Sequence, residues 1–167
     1  MPRTYDSIAT TTLSSAQATI SFNSISNAYT DLVLVVHCVI GTTGNPLYCR
    51  FNSDSSTSYS WEHLFGNGTS GISNRSSNAT FMYLGETASS TANPTSHILN
   101  VMSYSGSTNK STLLRCARDM NGTGLIQNAA GLWRNTSAIN NITIGTFQSG
   151  FNLGIGTTAT LYGILRA

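Results

Sequence analysis

Six carboxylates and three imidazoles are what this 167-residue chain has for acid–base chemistry. The acids, Asp6, Asp31, Asp54, Glu62, Glu86 and Asp119, are scattered singly. Cleaving a glycosidic bond needs two carboxylates flanking it, roughly 5 to 9 Å apart. Glu62 and Glu86 are the pair a fold could make converge; as isolated residues they read as solvated carboxylates. The imidazoles are His37, His63 and His97. Zinc ligands cluster at short spacings. Only His37 and Cys38 are close, and neighbouring strand residues point to opposite faces. Cys38, Cys49 and Cys116 are odd in number and form no Cys-x-x-Cys, so they read as buried, reduced thiols. There is no Gly-x-Ser-x-Gly elbow and no Walker loop. Gly66-Asn-Gly68-Thr-Ser-Gly71 matches the bare dinucleotide string. That chemistry needs a helix next, and Ile72 to Asn78 are poor helix formers. The reading is of a protein that is no enzyme and uses no metal or cofactor.

The remaining chemistry is recognition. Trp61 and Tyr59 flank polar stretches and are the candidate platform for stacking a sugar, with loops 53–60 and 66–78 beside them. Tyr83 and Trp133 sit in apolar segments and read as core. Arg115, Arg118 and Arg134 fall near one another in turn-linked strands. With Lys110 the only lysine, they read as specific hydrogen-bond donors, to a neighbouring subunit's carboxylates or to solvent.

Composition limits what must position these groups. Charged residues are 8% of the chain, against about 25% in an average domain. Ser, Thr and Asn number 24, 23 and 16. Hydrophobic residues still make up 40%, enough for a core, which excludes a charge-rich disordered chain. A net charge of +2 excludes nucleic-acid binding by bulk electrostatics. Few Glu and Lys argue against a helical bundle.

The pattern predicts an all-β protein: an antiparallel β-sandwich or jelly roll of roughly ten strands, in one domain over 1–167 with an extended N-terminal arm over 1–14. Ala18–Phe22 alternates as a half-buried strand. Thr30–Ile40 is apolar on both faces, reads as a covered central strand, and should form a hairpin with Leu47–Phe51 through the turn Gly41–Asn45. Residues 52–60, 66–78 and 85–96 read as loops, and Trp61–Phe65 as a short apolar patch. Further strands are expected at 80–84, 97–102, 111–118, 129–134, 139–146, 151–155 and 158–166. Met1–Asp6 lacks an apolar leader, and the run Leu32–Ile40, broken by His37, is far short of the ~20 residues of a membrane helix. No membrane partner is expected.

The order of several segments is similar to that of small virion proteins of tailed bacteriophages, including cyanophages. They are Tyr5-Asp-Ser-Ile-Ala-Thr-Thr-Thr-Leu13, Thr19-Ile-Ser-Phe22, Ser26-Asn-Ala-Tyr-Thr-Asp-Leu-Val-Leu34, Arg50-Phe-Asn-Ser-Asp54 with Tyr59, and Thr158-Ala-Thr-Leu-Tyr-Gly-Ile164. The resemblance runs nearly end to end and implies a jelly-roll or sandwich module. It implies a capsid decoration (cement) protein on the head surface, made in the host cytoplasm. Its partners would be the major capsid protein and itself, as a homotrimer. The alternative it implies is a knob or tail-fibre module that binds host surface glycans. It assigns no catalytic residues.

Overall fold

The computed structural model describes residues 4–40, 45–87 and 92–165. In chain order the strands are β1 (Tyr5–Thr12), β2 (Thr19–Phe22), β3 (Asp31–Cys38), β4 (Leu47–Phe51), β5 (Tyr59–Gly66), β6 (Gly71–Ala79), β7 (Met82–Tyr83), β8 (Thr95–Val101), β9 (Lys110–Asp119), β10 (Gly124–Trp133), β11 (Ile142–Thr146) and β12 (Thr158–Ile164). They form two antiparallel sheets: β1-β12-β3-β8-β9-β10-β5-β6, and β2-β11-β4-β7. The protein is a β-sandwich, as the period-2 pattern predicts.

Alternation decides which face is buried. In β9, Lys110, Thr112, Leu114 and Cys116 are buried, while Ser111, Leu113, Arg115 and Ala117 are exposed. The register aligns such positions into rows. Leu161 lies opposite Leu34, Leu34 opposite Leu99, Leu99 opposite Leu114, then Ala129 and His63. The small sheet covers this face with buried Ile20, Phe22, Cys49, Phe51, Ile142 and Ile144. Fully burying one leucine is worth about 2 kcal/mol, so the leucine row is a principal source of stability. Gly131 lets the sheets close: a Cβ there would lie 2.2 Å from the Met82 sulfur.

Five expectations change. β3 and β4 are not a hairpin: β3 pairs with β12 and β8, and β4 with β11 and β7. Both carry buried apolar rows, and those rows must face each other across the core, which two strands of one sheet cannot do. The turn meant to join them, 41–44, lies outside the described residues. Residues 66–78 are not one long loop, because Gly71–Ala79 is β6, paired along β5. Serine and asparagine disfavour strands locally, and a tertiary partner overrides that. Tyr5–Thr12 does not extend as an arm but hydrogen-bonds along β12. Residues 151–155 contribute only the isolated bridge Gln17–Leu153. The outward face of β3 grades from buried Val33 to exposed His37, so that strand is fully covered on one side only.

Polar groups lock the ends of the sandwich. Asp54 accepts hydrogen bonds from Trp133 Nε1 (2.7 Å), Ser56 N (2.8 Å) and Ser58 Oγ. Burial pulls the Asp54 carboxyl upward, but these bonds outweigh it and hold it well below the usual carboxylate range. Lys110, fully buried, donates to the carbonyls of Gly106, Thr108 and Thr136. His97, also fully buried, bridges the Leu84 carbonyl (2.7 Å) and Thr95 Oγ1 (2.8 Å). Burial lowers its pKa from 6.5 to about 4, against the opposing pull of the Leu84 carbonyl.

The His97 shift fixes a pH response. The unfolded chain takes up this proton near pH 6.5 and the folded chain only near 4, so acid favours unfolding in that window. Stability is expected to be flat above about pH 7 and to fall by about 3 kcal/mol between pH 6.5 and 4. Replacing His97 by Gln should flatten the decline; urea titrations across pH check it, and an unchanged slope contradicts it. Asp54→Ala strips acceptors from three donors and should lower stability by about 3 kcal/mol at neutral pH, measured by thermal melting.

Candidate functional site

The structure separates the residues that chemistry would need together. Glu62 is exposed on the outer face of the large sheet. Glu86 lies on the inner side, accepting from Tyr83 Oη at 3.3 Å, with its amide bound to Gln127. The sheet stands between the two carboxylates. His37 is exposed on one face, whereas His63 and His97 are buried on the other. Among the described residues no cluster of His, Cys, Asp or Glu can hold a metal. The three cysteines are buried and unpaired, and burial raises the pKa of Cys38 and of Cys116 to about 12. Gly66–Gly71 closes the β5–β6 hairpin, where Asn67 Oδ1 accepts the amides of Thr69 and Ser70. The arginines do not cluster. Lys110 pairs with Trp133, so Arg134 lies at one end of β9 and Arg118 at the other. Over a ten-residue strand that is roughly 30 Å.

The sugar platform is not formed as expected. Tyr59 is fully buried, and its hydroxyl receives the Phe51 amide (3.1 Å) and donates to the Asp54 carbonyl (3.2 Å). Its ring stacks on Trp133 and leans on Phe51. No face is left for a ligand, so Tyr59 is a core residue. The loop at 53–58 is tied down by Asp54, and by Arg134 Nη2 donating to the Thr57 carbonyl at 2.6 Å. Trp61 is half-buried on the inner face of β5, stacked on Tyr83 at 5.0 Å and on His63 at 5.5 Å. Trp61 Nε1 and His63 Nδ1 are buried without a partner. Burial lowers the His63 pKa.

What sequence reading missed is the outer face. Two adjoining open hollows, of about 630 and 710 Å³, run across β9, β10, β5 and β6 and share Glu62, Arg75 and Ala130. Glu62 and Arg75 are directly opposite in the register. Leu64, Leu113 and Ile126 stand on this face at 60%, 46% and 63% exposure. Ile126 lies opposite Ala117, which extends the apolar surface toward β8. One signal was available: Leu113-Leu114 are adjacent in a strand, so one of them must face outward.

No protein-family model matches the chain, and no curated protein shows significant similarity to it. Leu113, Ile126 and Leu64 stand on three adjacent strands of this face, with Arg115 and Asn128 in the row between Leu113 and Ile126.

Removing the Tyr59 hydroxyl tests the reassignment. Tyr59→Phe should lose about 1 kcal/mol of stability, because the Phe51 amide loses its acceptor. Denaturant unfolding measures this, and a stability equal to wild type would show that the hydroxyl holds nothing.

Proposed function

We propose that this protein is a structural virion component, a decoration protein that binds an assembled phage head through the outer face of its large sheet. The observation that carries the binding role is the exposure of Leu64, Leu113 and Ile126 on the outer face of the large sheet, among Glu62, Arg75 and Arg115. Such apolar side chains favour removal from water against another surface. The virion assignment rests on the ordered resemblance from Tyr5 to Ile164. The low charge supports it: identical copies crowded on one shell repel one another little. Binding by buried area over many copies needs no catalytic group.

The N-terminal segment is not the attachment device in this reading. Residues 5–12 already complete the sheet, so deleting 1–14 would bare β12 rather than remove a free arm.

Antibody labelling of virions should place the protein at regular positions on the head. Labelling confined to the tail would replace this reading with the knob or fibre alternative. Leu64→Asp with Leu113→Asp should weaken head binding about tenfold or more with little change in melting temperature, since both side chains are exposed. Undiminished head binding would remove the outer face from the proposal.

A further inference from the structure

The two edges of the large sheet are built differently. β1 carries a register shift between Ser7 and Ala9, the kind of bulge that spoils an edge for further pairing. β6 is nine residues long and, among the described residues, has β5 as its only strand neighbour. Its register is unbroken from Gly71 opposite Gly66 to Ser77 opposite Ser60, and Gly71 to Arg75 are all exposed. Natural edges are usually blunted by lysine, proline or a bulge. This regular stretch has none, and Arg75 is its one charge.

The backbone shows which groups point away from β5. The Arg75 amide donates to its neighbour Asn74 Oδ1 at 2.8 Å, so it points away from β5, and that side chain must swing aside before another strand pairs there. By the two-residue alternation of an antiparallel ladder, Gly71, Ser73 and Ser77 also turn their amides and carbonyls outward. An antiparallel edge is complementary to itself about a two-fold axis. The seven regular residues, 71 to 77, have Asn74 at their centre. An axis there sets Asn74 against Asn74 of a second copy, Ser73 against Arg75, Ile72 against Ser76 and Gly71 against Ser77. An axis at Arg75 would oppose two guanidiniums, which is unfavourable. An axis at Ser76 would draw in Asn78, whose φ of 62° leaves the strand conformation, and the irregularity at Tyr59.

We infer that two copies of this chain join edge to edge through β6, in antiparallel register centred on Asn74, so that the large sheet runs on across a two-fold axis. Each copy supplies the outward groups of four residues over about 23 Å of strand. The occupant is a second copy because the surface is nearly neutral and the only charge finds a serine opposite it. This gives a dimer, not the trimer expected from the sequence; a closed trimer needs a head-to-tail contact between β6 and the bulged β1. The inference is independent of where the protein acts.

The native cysteines are buried, so an added one reports cleanly. Asn74→Cys should form a covalent dimer on mild oxidation, while Thr10→Cys, exposed on β1, should form no covalent cross-link. Ser73→Pro removes an outward amide without touching the β5 ladder and should halve the mass seen by light scattering, with an unchanged circular-dichroism spectrum. Where proline prevents folding, Ser73→Lys sets an ammonium against the partner's Arg75 and should also give a monomer. Wild-type protein that is monomeric or trimeric at micromolar concentration, or that cross-links through position 10 and not 74, overturns the inference. So does a Ser73→Pro or Ser73→Lys variant that folds and remains a dimer.

Discussion

The row of leucines across β12, β3, β8 and β9 is the interaction on which the other features depend. Leu161, Leu34, Leu99 and Leu114 have at most 1% exposure. Leu161 and Leu34, which face each other, are more than a hundred residues apart in the chain, so the row is complete only once distant strands have paired. Such non-local pairing makes folding slow, and a slow-folding β chain exposes edges while it waits. The row fixes register as well as stability. A slip of one residue in any of these strands would turn its leucine to water. The row continues through Ala129 to His63, and there the inner face is covered by Trp61 and Tyr83 instead of aliphatic side chains. Beyond it only β6 remains.

Low charge and an open edge are linked constraints. A lysine-rich surface would have protected β6 by repulsion, but the single lysine is spent inside, where its ammonium gathers three carbonyls. Neutral serine and asparagine neither repel a second copy nor drive collapse. An edge of this composition pairs only where geometry lets the backbone pair. The bulge in β1 then does for one edge what charge does in most sheets. The structure has thus separated its two edges by shape rather than by side-chain type.

Fold class was legible because β9 and β12 alternate cleanly between a core and a wet face. β6 was not, because Gly-Ile-Ser-Asn-Arg-Ser-Ser-Asn-Ala has the local preferences of a loop and becomes a strand only through its pairing to β5. β1 was not legible, because a mostly polar strand with no fully buried residue looks like an arm. Tyr59 misled for a related reason. Flanking polar residues suggest exposure, yet those residues, Asp54 and Ser58 among them, turn inward to satisfy Trp133 and close the end of the core. The outer-face leucines were recoverable from the Leu113-Leu114 pair, but only after β9 had been assigned a buried face.

Joining two copies through β6 would change the outer face as well as the edge. Glu62, Leu64 and Arg75 lie within one or two strands of the axis, so the two hollows of each copy would adjoin those of the other across a continuous sheet. A weak contact made once by a monomer would then be made twice on a rigid frame. When both contacts can engage, the second becomes intramolecular, and avidity can exceed single-site affinity by a factor of about 10² or more. That gain requires the target to repeat with a matching two-fold spacing, as a shell of identical subunits does and a single receptor does not. The edge and the face are therefore coupled through geometry: the first sets the spacing at which the second can act.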